Sequence, residues 1–287
     1  MLGGSLLSGP LAGSATLIIE YLIVAGGGAG GNYGGGGAGG MLTGTFEFLG
    51  TSINLRIGHG GSGTSINSSG QTPALMGSDS FIAPDVGDTL TAIGGGHGGR
   101  HDYDVAQDGG SGGGTGPASG SVRAGGLGTP GQGFNGGSNG TNQNPYPAGG
   151  GGGAGGPGGN GSHPGISGNG GVGRQSSITG SPTYYAGGGG GRTYYSGYTN
   201  GTGGTGGGGN AASGTGGNGA DSLGAGGGGS YGSGGSGIII LKLPIAFLPT
   251  ESSSSNIDKS EITSGSYKII SYKVNVKSSD STITLTF

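Results

Sequence analysis

Apolar positions in this chain gather in a few short stretches, and each predicts extended structure rather than helix. Leu17-Ile18-Ile19-Glu20-Tyr21-Leu22-Ile23-Val24 is a near-continuous run rich in β-branched residues that ends at a glycine tract. Such a run reads as a strand buried on both faces. From Leu42 to Ile57 apolar and polar residues alternate: Phe46 and Phe48 share one face, Ile53, Leu55 and Ile57 another, with Gly50 at the turn between them. That pattern predicts a pair of strands. Ile238-Ile239-Ile240-Leu241-Lys242-Leu243 predicts a second buried strand, closed by Pro244. Near the end, Ile270, Tyr272, Val274 and Val276 are in step within 266–276, as are Ile283, Leu285 and Phe287 within 281–287. The polar stretch Lys277-Ser278-Ser279-Asp280 predicts a hairpin joining these two. Helical spacing of apolar residues is absent, so helix is expected near zero.

Between Ala25 and Gly237 the chain is built differently. Gly27-Gly28-Ala29-Gly30-Gly31-Asn32, Gly36-Gly37-Ala38-Gly39-Gly40-Met41, Gly95-Gly96-His97-Gly98-Gly99-Arg100 and 152–161 all repeat Gly-Gly-X. A period of three is that of the left-handed polyproline II helix, and two glycines in three leave two of its faces as bare backbone. Such helices lack internal hydrogen bonds, so their amides need partners on neighbouring helices. Collagen requires glycine at every third position over long stretches, and these runs are too short and too interrupted for it. The predicted fold is a mainly irregular and β structure: a bundle of short polyglycine II helices pinned by a small β-sheet from both termini. The segments 71–93, 115–147, 162–186, 192–202 and 210–225 carry the Tyr, Pro, Asn, Arg and His that the runs lack, and are expected as loops at the bundle ends. The division expected is 1–16 as an attachment segment, 17–243 as the glycine-rich bundle, and 244–287 as a C-terminal hairpin of the same unit.

Composition sharpens this picture. Glycine supplies 87 of 287 residues, yet Gly265 is the only one among the last fifty. Hydrophobic residues are 29% and charged residues 8%, so the high-charge half of the disorder signature is missing. A net charge of −3 with scattered arginines gives no footprint for nucleic acid. Without cysteine there are no disulfides, thiolate metal sites or cysteine nucleophiles. No apolar run reaches the ~18 residues that would span a bilayer, and the N-terminus lacks the basic region of a secretory signal. Four Asn-x-Ser/Thr sequons, at Asn67, Asn139, Asn160 and Asn200, are expected by chance in so Asn- and Ser-rich a chain.

The strongest candidate site is Tyr184-Tyr185, a glycine run, then Arg192, Tyr194, Tyr195 and Tyr198. Tyrosine offers a rigid apolar face with a polar tip, suited to receptor or sugar binding. The competing reading is that these rings cap the bundle and shield backbone. The pairs lie at opposite ends of the run, or meet if it turns back. His97, His101, Asp102 and Asp104 fall within eight residues but match no zinc spacing, and read as a solvated loop, as do Asp85, Asp88, His59 and His163. Gly26, Gly28 and Gly31 fit the dinucleotide-loop spacing, with Glu47 downstream. The motif needs a following helix, and more glycine follows instead. No catalytic residues, metal site or cofactor are assigned, and an enzyme is not expected.

The start Glu20-Tyr21-Leu22-Ile23-Val24-Ala25 into glycine, the Gly-Gly-Ala-Gly-Gly-Met41 tract, the closing strand Gly237-Ile238-Ile239-Ile240-Leu241 and the Gly265-Ser266-Tyr267-Lys268 segment ending at Phe287 resemble the glycine-rich domain of bacteriophage tail-fibre and distal adhesin proteins. The resemblance covers roughly residues 17–287. It implies a structural virion protein, assembled in the host cytoplasm, with polyglycine II helices in a layered sandwich and end loops contacting a host-surface receptor such as a glycan or outer-membrane protein. It also implies other virion proteins as partners and a homo-oligomer, a trimer among the options. Neither nucleic acid nor membrane insertion is expected. Two rivals are a purely structural virion or filament subunit and an ice-binding polyproline II bundle, the latter disfavoured by sparse, irregular threonines.

Overall fold

The computed structural model describes residues 16–63, 74–102, 105–253, 256–274 and 280–287. Twelve strands form in chain order. They are β1 (Leu17–Val24), β2 (Met41–Phe48), β3 (Ser52–Ile57), β4 (Ser80–Pro84), β5 (Leu90–Ala92), β6 (Arg174–Ser176), β7 (Thr183–Tyr185), β8 (Ile238–Pro244), β9 (Thr250–Ser253), β10 (Ile257–Ser264), β11 (Tyr267–Val274) and β12 (Ser281–Thr286). A single 3₁₀ turn, Ile245–Phe247, is the only helical element among the described residues. The expectation of a mainly β, non-helical chain holds.

Two five-stranded antiparallel sheets face each other. One has the order β10-β11-β8-β1-β2 and the other β5-β4-β3-β12-β9. Ile19, Ile23, Ile239, Leu241, Ile270 and Tyr272 of the first sheet pack with Ile53, Leu55, Ile57, Ile82, Ile283 and Leu285 of the second in one core. The alternate residues Leu22, Val24, Ile238, Ile240 and Ile269 are also buried. They pack against Met41, Ile178, Tyr185 and alanines of the glycine-rich body. This explains the continuous apolar runs of β1 and β8: each strand has cover on both faces.

The sequence reading of the sheets needs correction at four points. The support is a ten-strand sandwich rather than a small terminal sheet. The expected loop 71–93 supplies β4 and β5 to it. β2 and β3 are not partners: β2 pairs with β1, whereas β3 pairs with β4 and β12. Likewise β11 and β12 do not form a hairpin; β11 joins β8 and β10, and β12 joins β3 and β9. Alternation fixes which residues face a core, but both inner faces of a sandwich carry the same signature, so a connection that crosses between sheets looks like a hairpin. The actual C-terminal hairpin is β10–β11, turned at Gly265 with φ 59°, the backbone that a Gly-X hairpin turn requires.

The glycine runs extend from one edge of this sandwich, and their backbone hydrogen bonds repeat every third residue. Gly26 and Ala29 donate to Ser78 and Leu75, Gly27 and Gly30 to Gly235 and Gly232, and Gly28 and Gly31 to Gly37 and Gly34. Successive amides therefore point to three different neighbours. Residues 34–40 lie innermost. Their amides reach Gly99 and Gly96, Gly149 and Ala38's partner Gly152, and Gly227 and Gly224. Their carbonyls accept from three further segments, through Gly31 and Gly28, Gly114 and Ser111, and Gly189. A Cβ built on Gly36, Gly37 or Gly39 would overlap a neighbouring backbone carbonyl, so only glycine permits this spacing.

At the outer runs, side chains replace the missing neighbour. Asn135, Asn160, Asn169, Asn210 and Asn218 are exposed. Each accepts, through Oδ1, the amide of Gly128, Ser138, Thr202, Gly203 or Ser233 respectively, at 2.8–2.9 Å. Unpaired peripheral amides are thereby satisfied locally.

Candidate functional site

Each glycine run leads away from the sandwich, turns and returns, so the turns collect at the far end. Residues 25–31 leave β1, turn at Asn32-Tyr33 and come back as 34–40 into β2. Residues 94–99 leave β5 and end at His101, and 186–192 leave β7 and end at Arg192. Cross-links between the turns set their height: Arg192 N donates to Tyr33 O at 2.7 Å, and Tyr194 N to Tyr146 O at 3.2 Å. Buried Thr193 fixes the 192–200 loop, because its amide and hydroxyl both donate to Asn200 Oδ1, at 3.0 and 3.1 Å.

These turns bring rings together. Tyr194 is the hub: it stacks on Tyr33 with centroids 5.5 Å apart and planes 19° apart, meets Tyr195 edge-on at 4.9 Å, and lies 4.8 Å from His101 and 6.1 Å from Tyr146. Pairs at such separations each contribute ~0.5–1.5 kcal/mol beyond burial, so the cluster holds its shape. The Arg192 guanidinium sits over the Tyr33 ring, 5.2 Å from its centroid, and donates to Asn32 Oδ1 at 3.4 Å. Burial pushes the Tyr33 phenol above its ordinary pKa, with the Arg192 charge opposing. Tyr194, Tyr195 and Tyr198 remain 37%, 44% and 47% exposed. Tyr198 lies across Gly165, whose φ of 85° and lack of a side chain admit the ring.

The sequence-predicted residues therefore divide. Arg192, Tyr194, Tyr195 and Tyr198 share the far end. Tyr184 and Tyr185 lie in β7 at the other end of the run, where Tyr185 is buried against Met41 and Ile240 and Tyr184 pairs with Gln175. Burial raises the Tyr185 phenol pKa. Tyr33 and Tyr146 complete the cluster with His101; the two tyrosines stand alone in sequence, their one signal a ring beside glycine or proline, whereas His101 belongs to the polar group 97–104 that the sequence offered as a solvated loop. His101 Nδ1 lies 2.9 Å from Asp102 Oδ2, and Asp102 also accepts from Ser119 N at 2.6 Å and Ser119 Oγ at 2.8 Å. The Ser119 amide chiefly holds the Asp102 carboxyl below the usual range. His97 is buried inside the stack, and Tyr103 and Asp104 lie outside the described residues. Among the described residues no three His, Cys, Asp or Glu groups gather as a metal site.

Other motifs are absorbed by the fold. Gly26, Gly28 and Gly31 are packed against the carbonyls of His59, Gly96 and Gly98, leaving no cradle for a phosphate. Asn139 is fully buried and Asn160 and Asn200 accept backbone amides, so three of the sequons are structural; Asn67 lies outside the described residues. A side groove of about 400 Å³ is lined by Pro130, Phe134, Pro157 and Arg174. The Arg174 guanidinium there is already committed to the carbonyls of Met41 and Gly131. No helix among the described residues is long and apolar enough to cross a membrane.

Comparison with known proteins identifies the family. The sequence profile of the glycine-rich domain family matches residues 12–244, most of the chain, and the protein belongs to that family. Neither a curated protein nor a solved structure matches it significantly.

Proposed function

We propose that this protein is a structural component of a bacteriophage tail fibre or tail tip that presents its far-end loops to the host cell surface. The carrying observation is the exposed cluster around Tyr194, held at the end of a stack whose backbone is hydrogen-bonded on all sides. Rigid aromatic rings on a stiff support bind with little loss of side-chain freedom, which favours recognition over shielding. We read the stack itself as polyglycine II, a reading supported by the three-residue repeat of amide directions and by six neighbours around residues 34–40.

The test is adsorption of the purified chain to candidate host cells and its competition with phage attachment. Tyr194→Ala together with Tyr195→Ala is expected to lower cell binding at least tenfold while the far-ultraviolet spectrum is unchanged. Undiminished binding by that variant removes the site, and absence of binding to every host removes the function.

A purely structural subunit is the second reading. It is favoured by β10, an eight-residue sheet-edge strand whose side chains are almost all exposed. Self-association of the purified chain in solution, with no adsorption to any host cell, would favour it.

A further inference from the structure

The far end carries a charge opposite to that of the whole molecule. All five lysines fall within residues 242–277, while Arg100, Arg123 and Arg192 follow glycine runs to the far end. Asp102 is the one acid among the described residues of these loops, with Asp104 two positions on in sequence. The carboxylate of Asp102 is occupied by Ser119 and His101. Arg123 donates to the Asp102 backbone carbonyl at 3.2 Å, and among the described residues neither Arg123 nor Arg192 pairs with a carboxylate. Arg192 is the sharper case. Among the described residues the one hydrogen bond of its guanidinium, to Asn32, is long, and its Nε is buried without an acceptor.

We infer that the Tyr194 cluster takes a sugar bearing an oxyanion, carboxylate or phosphate, with Arg192 as the anion-binding residue. This rests on the host-surface reading above. A guanidinium presents donors in a planar fork matched to two oxygens of either anion, and this one sits over the Tyr33 ring. Tyr194 and Tyr195, 37% and 44% exposed, offer aromatic surface in the same cluster for the C–H face of a pyranose. A neutral or apolar ligand would leave the Arg192 charge with no counter-charge and only its long bond to Asn32.

The experiment measures the full chain against four defined polymers: oligogalacturonate and its methyl ester, phosphomannan and plain mannan. At low ionic strength the acidic member of at least one pair is expected to bind about tenfold or more tightly than its neutral partner, and that preference to fall with added salt. Which pair shows it tells carboxylate from phosphate. Arg192→Gln is expected to abolish the preference while leaving residual binding; Arg192→Lys keeps charge without the fork and should retain a fraction. Equal affinity for acidic and neutral polymers, or an undiminished preference in Arg192→Gln, overturns the inference. So does failure to bind either acidic polymer by a chain that adsorbs to host cells. The host-surface reading survives those results if Tyr194→Ala with Tyr195→Ala still abolishes adsorption, and falls separately if the unaltered chain adsorbs to no host.

Discussion

Glycine in this protein is not one residue type but several, told apart by what a side chain would strike. At Gly151 a Cβ would overlap the carbonyl oxygen of Gly36 in the innermost run, with backbone on both sides and no side chain able to yield. Gly151→Ala is expected to cost about 3 kcal/mol or more, as overpacking against rigid backbone does. Gly214 has ordinary backbone and nothing within 4 Å of the added carbon. Gly214→Ala should stabilise by about 0.4–1 kcal/mol through the unfolded chain. Urea midpoints of the two variants, read beside the parent, check both signs. The Gly-Gly-X repeat was readable because its period of three survives in the hydrogen-bond directions. The repeat alone does not separate Gly151 from Gly214, since the collision at Gly151 comes from a run more than a hundred positions away. Tyr33 was missed for the same reason: a lone ring after Asn32 acquires meaning only when Arg192 and Tyr194 arrive from a distant turn.

At the scale of elements, β1, β2, β3, β8, β11 and β12 were legible, most of their pairings were not, and β4 to β7 formed inside the segments 71–93 and 162–186 that were expected as loops. β1 and β8 announced themselves by continuous apolar runs, and β3, β11 and β12 by alternation. β10 escaped because its side chains, exposed almost throughout, give no apolar pattern. One ion pair crosses from β11 to β10, Lys268 to Glu261 at 2.8 Å, while Lys259 joins Glu261 of its own strand to Glu251 of β9. Hydrogen bonds from Lys259 and Lys268 lower the Glu261 carboxyl from its ordinary 4.5 to about 2. A depressed carboxylate stabilises the fold above its unfolded pKa, and that contribution drains away as pH falls from about 4.5 towards 2. Glu261 is about one-third exposed, so solvent screening limits the effect to roughly 0.5–1 kcal/mol. Glu261→Gln should lower stability by that amount at neutral pH and flatten the loss between pH 4.5 and 2, measured by urea titration across the range. Gly265→Ala, forcing a side chain to φ 59°, should cost the hairpin ~1 kcal/mol.

For the whole molecule, the question is which part drives folding. A net ~0.5–1.5 kcal/mol per hydrogen bond, at about one per residue, barely matches the ~1–2 kcal/mol needed to order each glycine backbone. The stack therefore breaks even at best, and the surplus comes from the sandwich, where Ile239, Leu241, Leu55 and Leu285 are fully buried. Leu241→Ala is expected to cost 2–5 kcal/mol and to lower the melting of stack and sandwich together. Tyrosine fluorescence at the far end and circular dichroism of the strands should show one shared transition. Two separate transitions would mean that the stack stands alone. Within the native state, hydrogen exchange should be slowest at Gly36 and Gly37, which have neighbours on every side, and faster at Thr202 and Gly203, held by asparagine side chains at the surface.

Those asparagines have a consequence for how large the object can grow. A stack whose inner members accept six neighbours has no intrinsic outer boundary; any peripheral run with bare amides is a template for another run, from the same chain or from a second copy. Asn135, Asn160, Asn169, Asn210 and Asn218 close that boundary by placing a side-chain carbonyl where a further run would dock. They act as the selvedge of a woven cloth, finishing a fabric that would otherwise continue to take thread.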